Sequence, residues 1–249
     1  MSANLVTLVL AAGKGTRMRS PLPKPMLPVG GKPMLAYVLR ASNALEPDER
    51  HVVIGPQMDV VRRFVDPISC VVQHERRGTG HAVQVAMDAV QATEGTLLVL
   101  NGDVPLISSM TLTRLVENHV RAGSAVSVLG FSTESPGSYG RLKVRGQHLS
   151  GIVEAKDATV SELDINLCNG GIYAIDIAVG RRLLPMLSDD NAAGELYLTD
   201  IVGLANRAGL NCTCVLADEL ELAGANDLAE LTVLDRRVRD LMTSDRKAA

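Results

Sequence analysis

Residues 5–18 read Leu5-Val-Thr-Leu-Val-Leu10-Ala11-Ala12-Gly13-Lys14-Gly15-Thr-Arg17-Met18. The run from Leu5 to Leu10 is short and apolar but for Thr7, the pattern of a strand buried on both faces in a parallel sheet. It ends in a small, glycine-bearing, basic loop. Such a loop turns backbone N–H groups outward, and with Lys14, Arg17 and Lys24 nearby it suits a polyphosphate. The stretch matches neither standard nucleotide fingerprint. Gly13 and Gly15 open a G-x-G, but Met18 stands where the dinucleotide motif needs its third glycine, and no G-K-[ST] closes a P-loop. Taken alone, it reads equally as a tight turn with a solvated basic edge, and its neighbours have to choose.

Downstream, apolar runs and helical patterns alternate. Pro33 suits the first turn of a helix with Met34, Leu35, Val38, Leu39 and Leu45 on one face. Residues 51–54 form a second strand, Val60, Val61 and Phe64 mark a short helix, and residues 68–72 form a third strand. Thr79 fits the N-cap of a helix over 80–91 with Ala82, Val83, Ala86, Ala89 and Val90 buried. A strand at 96–100, a helix through Leu112, Leu115 and Val116, and a strand at 125–129 follow. This is the βαβ rhythm of an open, mostly parallel sheet with right-handed crossovers. The rhythm then changes to a hairpin over 141–154 turning at Gly146 and a strand at 167–175 interrupted by Gly170-Gly171. Helices near 177–187 and 196–208, a strand at 211–216 and an amphipathic helix through Leu228, Leu231, Leu234, Val238 and Leu241 complete the chain. One domain is expected over 1–243. Residues 1–130 form its first half, 131–225 a second half acting as lid and second wall, and 226–243 the last helix. Residues 244–249 are expected to fray.

The 249 residues are 46% hydrophobic and 21% charged, with a net charge of −3. That balance gives no general attraction to nucleic acid or to an anionic membrane, so any anion site must be local. No apolar run approaches the length of a membrane span, and no signal sequence opens the chain. The four cysteines form no metal or redox spacing and read as reduced thiols of a cytoplasmic protein. With 2% aromatic residues and no tryptophan, platforms for stacking single-stranded bases are not expected.

In an open α/β sheet, ligands bind at the carboxyl ends of the strands. Asn101-Gly102-Asp103 stands at such an end. Asp103 suits Mg²⁺, which takes one or two carboxylates plus phosphate oxygens, or serves equally as a turn cap. Gln73 with Gly78-Thr79-Gly80 offers an amide and exposed backbone to the edge of a base, or is another strand-to-helix turn. Lys24 between Pro23 and Pro25 is a rigidly mounted cation or a solvated lysine. Glu154, next to Lys156 and Asp157, can accept sugar hydroxyls or belong to a solvated charge run. Asn169-Gly170-Gly171 permits close approach of a ligand or forms a bulge. Asn226 reads as metal ligand or N-cap, and Tyr197 and Thr199 as pocket wall or helix face. The five histidines show no triad or metal spacing and read as structural.

Together these segments resemble a known family. Residues 10–18 followed by Pro23-Lys24 resemble the signature of the sugar-phosphate nucleotidyltransferases. Gln73…Gly78-Thr-Gly-His-Ala82, Gly102-Asp-Val-Pro-Leu106, Tyr139-Gly-Arg141, Ile152-Val-Glu-x-Lys-Asp-Ala158, Asn169-x-Gly-Ile172 and Glu195-x-Tyr-x-Thr-Asp200 follow in order. That set is similar to the N-acetylglucosamine-1-phosphate uridyltransferase domain of the bifunctional enzymes of UDP-N-acetylglucosamine synthesis. The resemblance spans about residues 5–240. Asn101 stands where the family commonly has an aromatic, Asn226-Asp227 where it often has two asparagines, and no hexapeptide repeats of an acetyltransferase follow.

The resemblance implies a Rossmann-like α/β nucleotidyltransferase fold with an inserted sugar-binding subdomain. It implies a Mg²⁺-dependent reaction of UTP with N-acetylglucosamine 1-phosphate, with a muramate or hexose 1-phosphate or another nucleotide as alternatives. A non-catalytic nucleotide-sugar-binding module is the alternative of another class. The implied roles place Leu10, Ala11, Ala12, Gly13, Lys14 and Gly15 on the nucleotide phosphates with Arg17. Lys24 serves the reacting centre, Asp103 and Asn226 hold the metal, and Gln73, Gly78 and Thr79 read the base. Gly102, Gly140, Glu154, Asn169, Tyr197 and Thr199 hold the sugar. A monomer or weak homo-oligomer is expected, with small-molecule substrates and neither nucleic acid nor membrane as partner.

Overall fold

The structure is a computed structural model that describes residues 4–18, 20–146, 148–225 and 227–248. In chain order it comprises β1 (Leu5–Leu10), β2 (Pro28–Val29), β3 (Lys32–Pro33), α1 (Met34–Asn43), β4 (Glu49–Ile54), α2 (Asp59–Val65), β5 (Ser69–Val72), α3 (Thr79–Met87) and β6 (Thr96–Asn101). There follow α4 (Ser109–Arg121), β7 (Val126–Ser132), β8 (Arg141–Arg145), β9 (His148–Val153), α5 (Val160–Leu163), β10 (Leu167–Asp176), α6 (Ile177–Leu183), α7 (Asp200–Arg207), β11 (Cys212–Leu216) and α8 (Leu228–Ala248).

Nine strands form one sheet in the order β5-β4-β1-β6-β10-β7-β11-β9-β8. The pairs β5–β4, β4–β1, β1–β6 and β7–β11 are parallel. Strand β10 runs antiparallel to β6 and to β7, between which it lies. The sheet is therefore mixed, with one reversed strand at its centre.

Both faces of the central strands are buried, which is why they read as apolar runs. Alternation decides which side chain goes where. Val6, Leu8, Leu97 and Val99 face one core with Val83 and Ala86 of α3, Ile177 of α6 and Ile201 of α7. Val9, Leu98 and Leu100 face the other with Leu35 of α1, Val61 of α2 and Leu112 and Leu115 of α4. A third, smaller cluster packs α8 onto the β2–β3 hairpin through Leu234, Val238, Val29 and Met34, and Met18 is fully enclosed in it. Asp235 accepts the Gly30 N–H at 2.7 Å, pinning the helix to the hairpin. A Cβ on Gly30 (φ +57°) would lie 2.6 Å from Val238 Cγ1, so that close approach requires glycine.

Five local expectations are corrected. The N-cap of α3 is Gly78, at φ +105°, and Thr79 is already helical. Helix α3 ends at Met87, and the helix expected near 177–187 gives way to a tighter turn at Leu184–Met186 around Pro185. Residues 196–199 precede α7 instead of belonging to it. The tail expected to fray from residue 244 continues as helix to Ala248. Among the described residues no helix is long and apolar enough to cross a membrane.

Phe131 is fully buried on β7 and meets Tyr139 edge-on, ring centroids 4.9 Å apart. Replacing it with alanine removes that contact and leaves a cavity. Phe131→Ala should cost about 3–5 kcal/mol of stability, read as a lowered midpoint in urea denaturation with an unchanged slope.

Candidate active site

The carboxyl ends of β1, β5 and β6 open into a cleft of about 360 Å³ lined by Leu10, Ala12, Gly13, Lys24, Gln73, Arg76, Gly78, Thr79, Asn101, Asp103 and Glu195, among others. Eight of the residues singled out in the sequence thus share one cavity: Leu10, Ala12, Gly13, Lys24, Gln73, Gly78, Thr79 and Asp103. Ala11 is buried behind it, its N–H donating to Val53 O at 2.8 Å. Gly102 lies under the floor, with its N–H donating to Leu10 O at 2.9 Å. Lys14 and Arg17 are solvent-exposed and do not line the cleft. Asn226 lies outside the described residues.

Lys24 Nζ stands 2.5 Å from Asp103 Oδ2, both side chains mostly shielded from solvent. The loop approaches closely enough that a Cβ on Gly15 (φ +64°) would lie 2.8 Å from Lys24 Cβ. Gly15 therefore allows the phosphate loop to close on the lysine mount. Gln73 is buried, and its Nε2 lies 3.1 Å from Gly78 O and 3.2 Å from His81 Nδ1. Its carbonyl oxygen is the group it can offer a ligand.

The segment 195–199 is tied to the turn before α3. Gly80 N–H donates to Leu196 O, Leu196 N–H donates to Arg77 O at 2.7 Å, and Leu198 N–H donates to Thr79 Oγ1 at 3.1 Å. The Thr79 hydroxyl therefore receives a distant strap instead of capping its own helix. A Cβ on Gly78 would lie 2.6 Å from Leu196 O, so glycine is required there as well.

This strap carries Glu195 into the cleft and Tyr197 and Thr199 to a second cluster. Thr199 Oγ1 donates to Glu154 Oε1 at 3.0 Å, and a Cβ on Gly140 would lie 3.3 Å from Glu154 Oε2. Gly140 O accepts the Asn169 N–H at 2.8 Å, and Asn169 Nδ2 donates to Tyr173 Oη at 2.8 Å. Asn169 Oδ1 accepts the Gly171 N–H at 2.9 Å. Gly171 in turn abuts the Asn101 amide in the cleft wall, so the two clusters adjoin. Arg141, itself buried, secures the loop before Gly140 by donating to the carbonyls of Gly137 and Tyr139.

Burial pushes the Glu154 carboxyl above its ordinary value; the Thr199 hydroxyl opposes this, while Asp200, Asp157 and Glu195 reinforce it. Burial together with Asp157, Glu154 and Glu195 pushes the Tyr197 phenol up to about 12. One end of the site is thus acidic and the other, at Lys24 and Arg76, cationic. Among the described residues no three acidic, histidine or cysteine side chains gather as a metal cluster. Asp103 and Glu195 bring carboxylates to the cleft, and the carboxylate of Asp103 suits a hard cation sharing phosphate oxygens, as Mg²⁺ does.

Arg76, Asn101 and Glu195 are cleft residues that the sequence did not assign a role. Asn101 and Glu195 stood in the quoted motifs. Arg76 gave no signal of its own, because its partners, Ala12 and Gly55, are distant in the chain.

The model of the MobA-like NTP transferase domain matches residues 7–192. Over 242 residues the chain is 46% identical to the bifunctional protein GlmU of Paramagnetospirillum magneticum, covering 96% of this chain and 53% of that protein. Against its namesake from Kineococcus radiotolerans the identity is 44%, covering 91% and 48%. The chain spans about half the length of the curated relatives it matches. In fold it is similar to a UDP-glucose pyrophosphorylase solved with UDP-glucose (TM-score 0.78, 17% identity, 95% of this chain and 99% of that one). It is also similar to an inositol-1-phosphate CTP transferase from T. maritima (TM-score 0.73, 15% identity, 97% and 96%). The chain belongs to the MobA-like NTP transferase domain family and is a nucleotidyltransferase domain.

Proposed function

We propose that this domain joins UTP to N-acetylglucosamine 1-phosphate, yielding UDP-N-acetylglucosamine and pyrophosphate, in the cytoplasm as a monomer or weak homo-oligomer. The observation that carries the reading is the Lys24–Asp103 pair in one cleft with the glycine loop and the Gln73–Thr79 turn, adjoining the Glu154–Thr199–Asn169 cluster. The ordered motifs resembling the uridyltransferase domain, and the identity to the GlmU proteins, support the choice of base and sugar.

The chemistry needs no general base, since the attacking sugar-phosphate oxygen is ionised at neutral pH. The protein's task is to align that oxygen with the α-phosphate and to neutralise charge on the leaving pyrophosphate. In this reading the backbone of residues 10–15 receives the triphosphate, with Lys14 and Arg17 as outer cations. Lys24 donates to the phosphates at the reacting centre. Gln73 offers its carbonyl to an N–H of uracil, and Gly78 and Thr79 hold the base from the helix side. Asp103, with Asn226, would hold Mg²⁺, which when bound supplies positive charge to the phosphates of both substrates. Gly102, Gly140, Glu154, Asn169, Tyr197 and Thr199 hold the sugar. The acidic end accepts its neutral hydroxyls and repels its phosphate, which orients the substrate toward Lys24.

Lys24→Ala and Asp103→Asn should each lower kcat by about 10²–10³-fold while leaving the circular dichroism melt near that of the wild type. Wild-type kcat in either, measured by pyrophosphate release over a panel of nucleoside triphosphates and sugar 1-phosphates with and without Mg²⁺, would overturn the assignment.

Glu154 gives a pH-dependent signature. Its folded pKa is raised, so protonation favours the folded state. The stability it contributes is fully present below the ordinary value of 4.5 and is lost as pH rises through the raised folded value. Glu154→Gln should therefore melt at a higher temperature than wild type at pH 7, with the gap closing as pH falls toward 4.5. The same variant should raise KM for the sugar phosphate and leave KM for the nucleotide unchanged, as steady-state kinetics with each substrate varied will register.

A further inference from the structure

We propose that Arg76 is a positioning residue that sets the phosphate loop for the nucleotide. This rests on the nucleotidyltransferase reading of the cleft.

Arg76 belongs to the connection between β5 and α3, yet its guanidinium reaches across the ends of β4 and β1. Its Nε donates to Ala12 O at 2.7 Å. The planar group lies over Gly55, the residue after β4. The three atoms nearest to a Cβ built there are its Nη2, Cζ and Nε. Gly55 has ordinary backbone geometry, so its lack of a side chain answers to the arginine and not to the backbone. Arg76 also lines the cleft beside Gly13 and Gln73, and it is desolvated enough that burial lowers its pKa from 12.5, leaving it charged at neutral pH.

The consequence for the loop follows from peptide planarity. In a trans peptide the carbonyl and the next N–H point in opposite directions. Holding Ala12 O on Arg76 fixes the Gly13 N–H away from the arginine, in a loop whose two glycines would otherwise sample many orientations. Ala11 N–H on Val53 O anchors the Leu10–Ala11 peptide at the start of the loop, and Arg76 fixes the Ala12–Gly13 peptide. A charge-assisted bond to a backbone carbonyl is stronger than a neutral one, so the orientation is set before the nucleotide arrives. Arg76 therefore acts on nucleotide binding and not on the sugar phosphate.

Gly55 provides a test that leaves Arg76 in the chain. Gly55→Ala should push the guanidinium off Ala12 O, since the three atoms nearest to the added Cβ all belong to the end of that flexible side chain. Kinetics are measured with whichever of UTP, CTP, GTP and dTTP the wild type uses best. Arg76→Ala should raise the nucleotide KM by about tenfold or more, with kcat within about threefold and the sugar-phosphate KM unchanged. Gly55→Ala should show the same split. The double variant should be no worse than Arg76→Ala alone, since the guanidinium that the methyl displaces is then already gone. An unchanged nucleotide KM in either single variant, or additive effects in the double, would sink the proposal. An equal loss in both KM values would do so too, because that is the signature of general damage to the site. Preference for a nucleotide other than UTP would count against uridylyl transfer and leave this test of Arg76 intact.

Discussion

Strand β10 is the constraint on which the two clusters of the site depend. It runs antiparallel between β6 and β7, and its register breaks between Asn169 and Tyr173. Upstream of the break it pairs with β7, and Cys168 also pairs with Arg141 of β8. Downstream it joins β6, whose last residue, Asn101, stands in the cleft wall. One strand therefore ties the parallel strands of the first half to the hairpin that precedes Glu154. The two glycines at the break are dictated by crowding. A Cβ on Gly170 would lie 2.6 Å from Leu222 Cδ1 and 2.9 Å from Leu129 O, while Gly171, at φ +73°, abuts the Asn101 amide. Without side chains here the strand can pass close enough for Asn169 to serve the second cluster.

The limits of reading this chain as a sequence follow from the same geometry. The buried parallel strands were legible because both of their faces are covered, so burial appears as runs at 5–10 and 96–100 that are apolar except for Thr7 and Thr96. The break at Gly170-Gly171 was legible too. The reversed direction of β10 was not, because direction is a property of pairing with β6 and β7 and leaves no local period. The same distinction explains Thr79. A threonine before an apolar helical pattern is a good N-cap by local rules, but here its hydroxyl accepts Leu198 N–H from a segment 119 residues away. Residues 196–199 were read as the start of a helix, and Leu196 and Leu198 are indeed buried. Their backbone is committed instead to the turn before α3, and α7 begins only at Asp200.

Met18 shows how a missing motif residue can be informative. A dinucleotide fingerprint requires a small residue there so that a helix can pack closely on the strand. In this chain the side chain is needed, because it fills the third core beneath α8 together with Leu27, Val29 and Met34. The loop consequently leads into the proline-mounted Lys24 and the β2–β3 hairpin instead of the first helix of a dinucleotide fold. Gly15 then lets the loop fold back against Lys24, so a cation absent from the glycine motif arrives from the following segment. The candidate residues that share the cleft were legible as strand-end residues. Lys14 and Arg17 were singled out by their charge and their place in the loop signature, and the structure leaves them in solvent, away from the cleft lining.

Charge is distributed along the site in a way that has its own consequence. Lys24 and Arg76 stand at the end where the sheet's first strand opens, with Asp103 directly on the lysine. Glu154, Asp157, Glu195 and Asp200 lie close enough to one another to perturb the same carboxyl and phenol groups. A ligand that is anionic at one end and rich in hydroxyls at the other has one favourable orientation in such a field. Reversing it would set phosphate against partly desolvated carboxylates, where repulsion is poorly screened. The cost of concentrating those acids is visible in the raised Glu154 and Asp200, each held above its ordinary value chiefly by burial. Carboxylates that destabilise the empty fold in this way gain hydrogen-bond donors when a polyol arrives. In the proposed reading, the strain that the acidic end places on the protein is thus the feature that would distinguish a sugar from a bare phosphate.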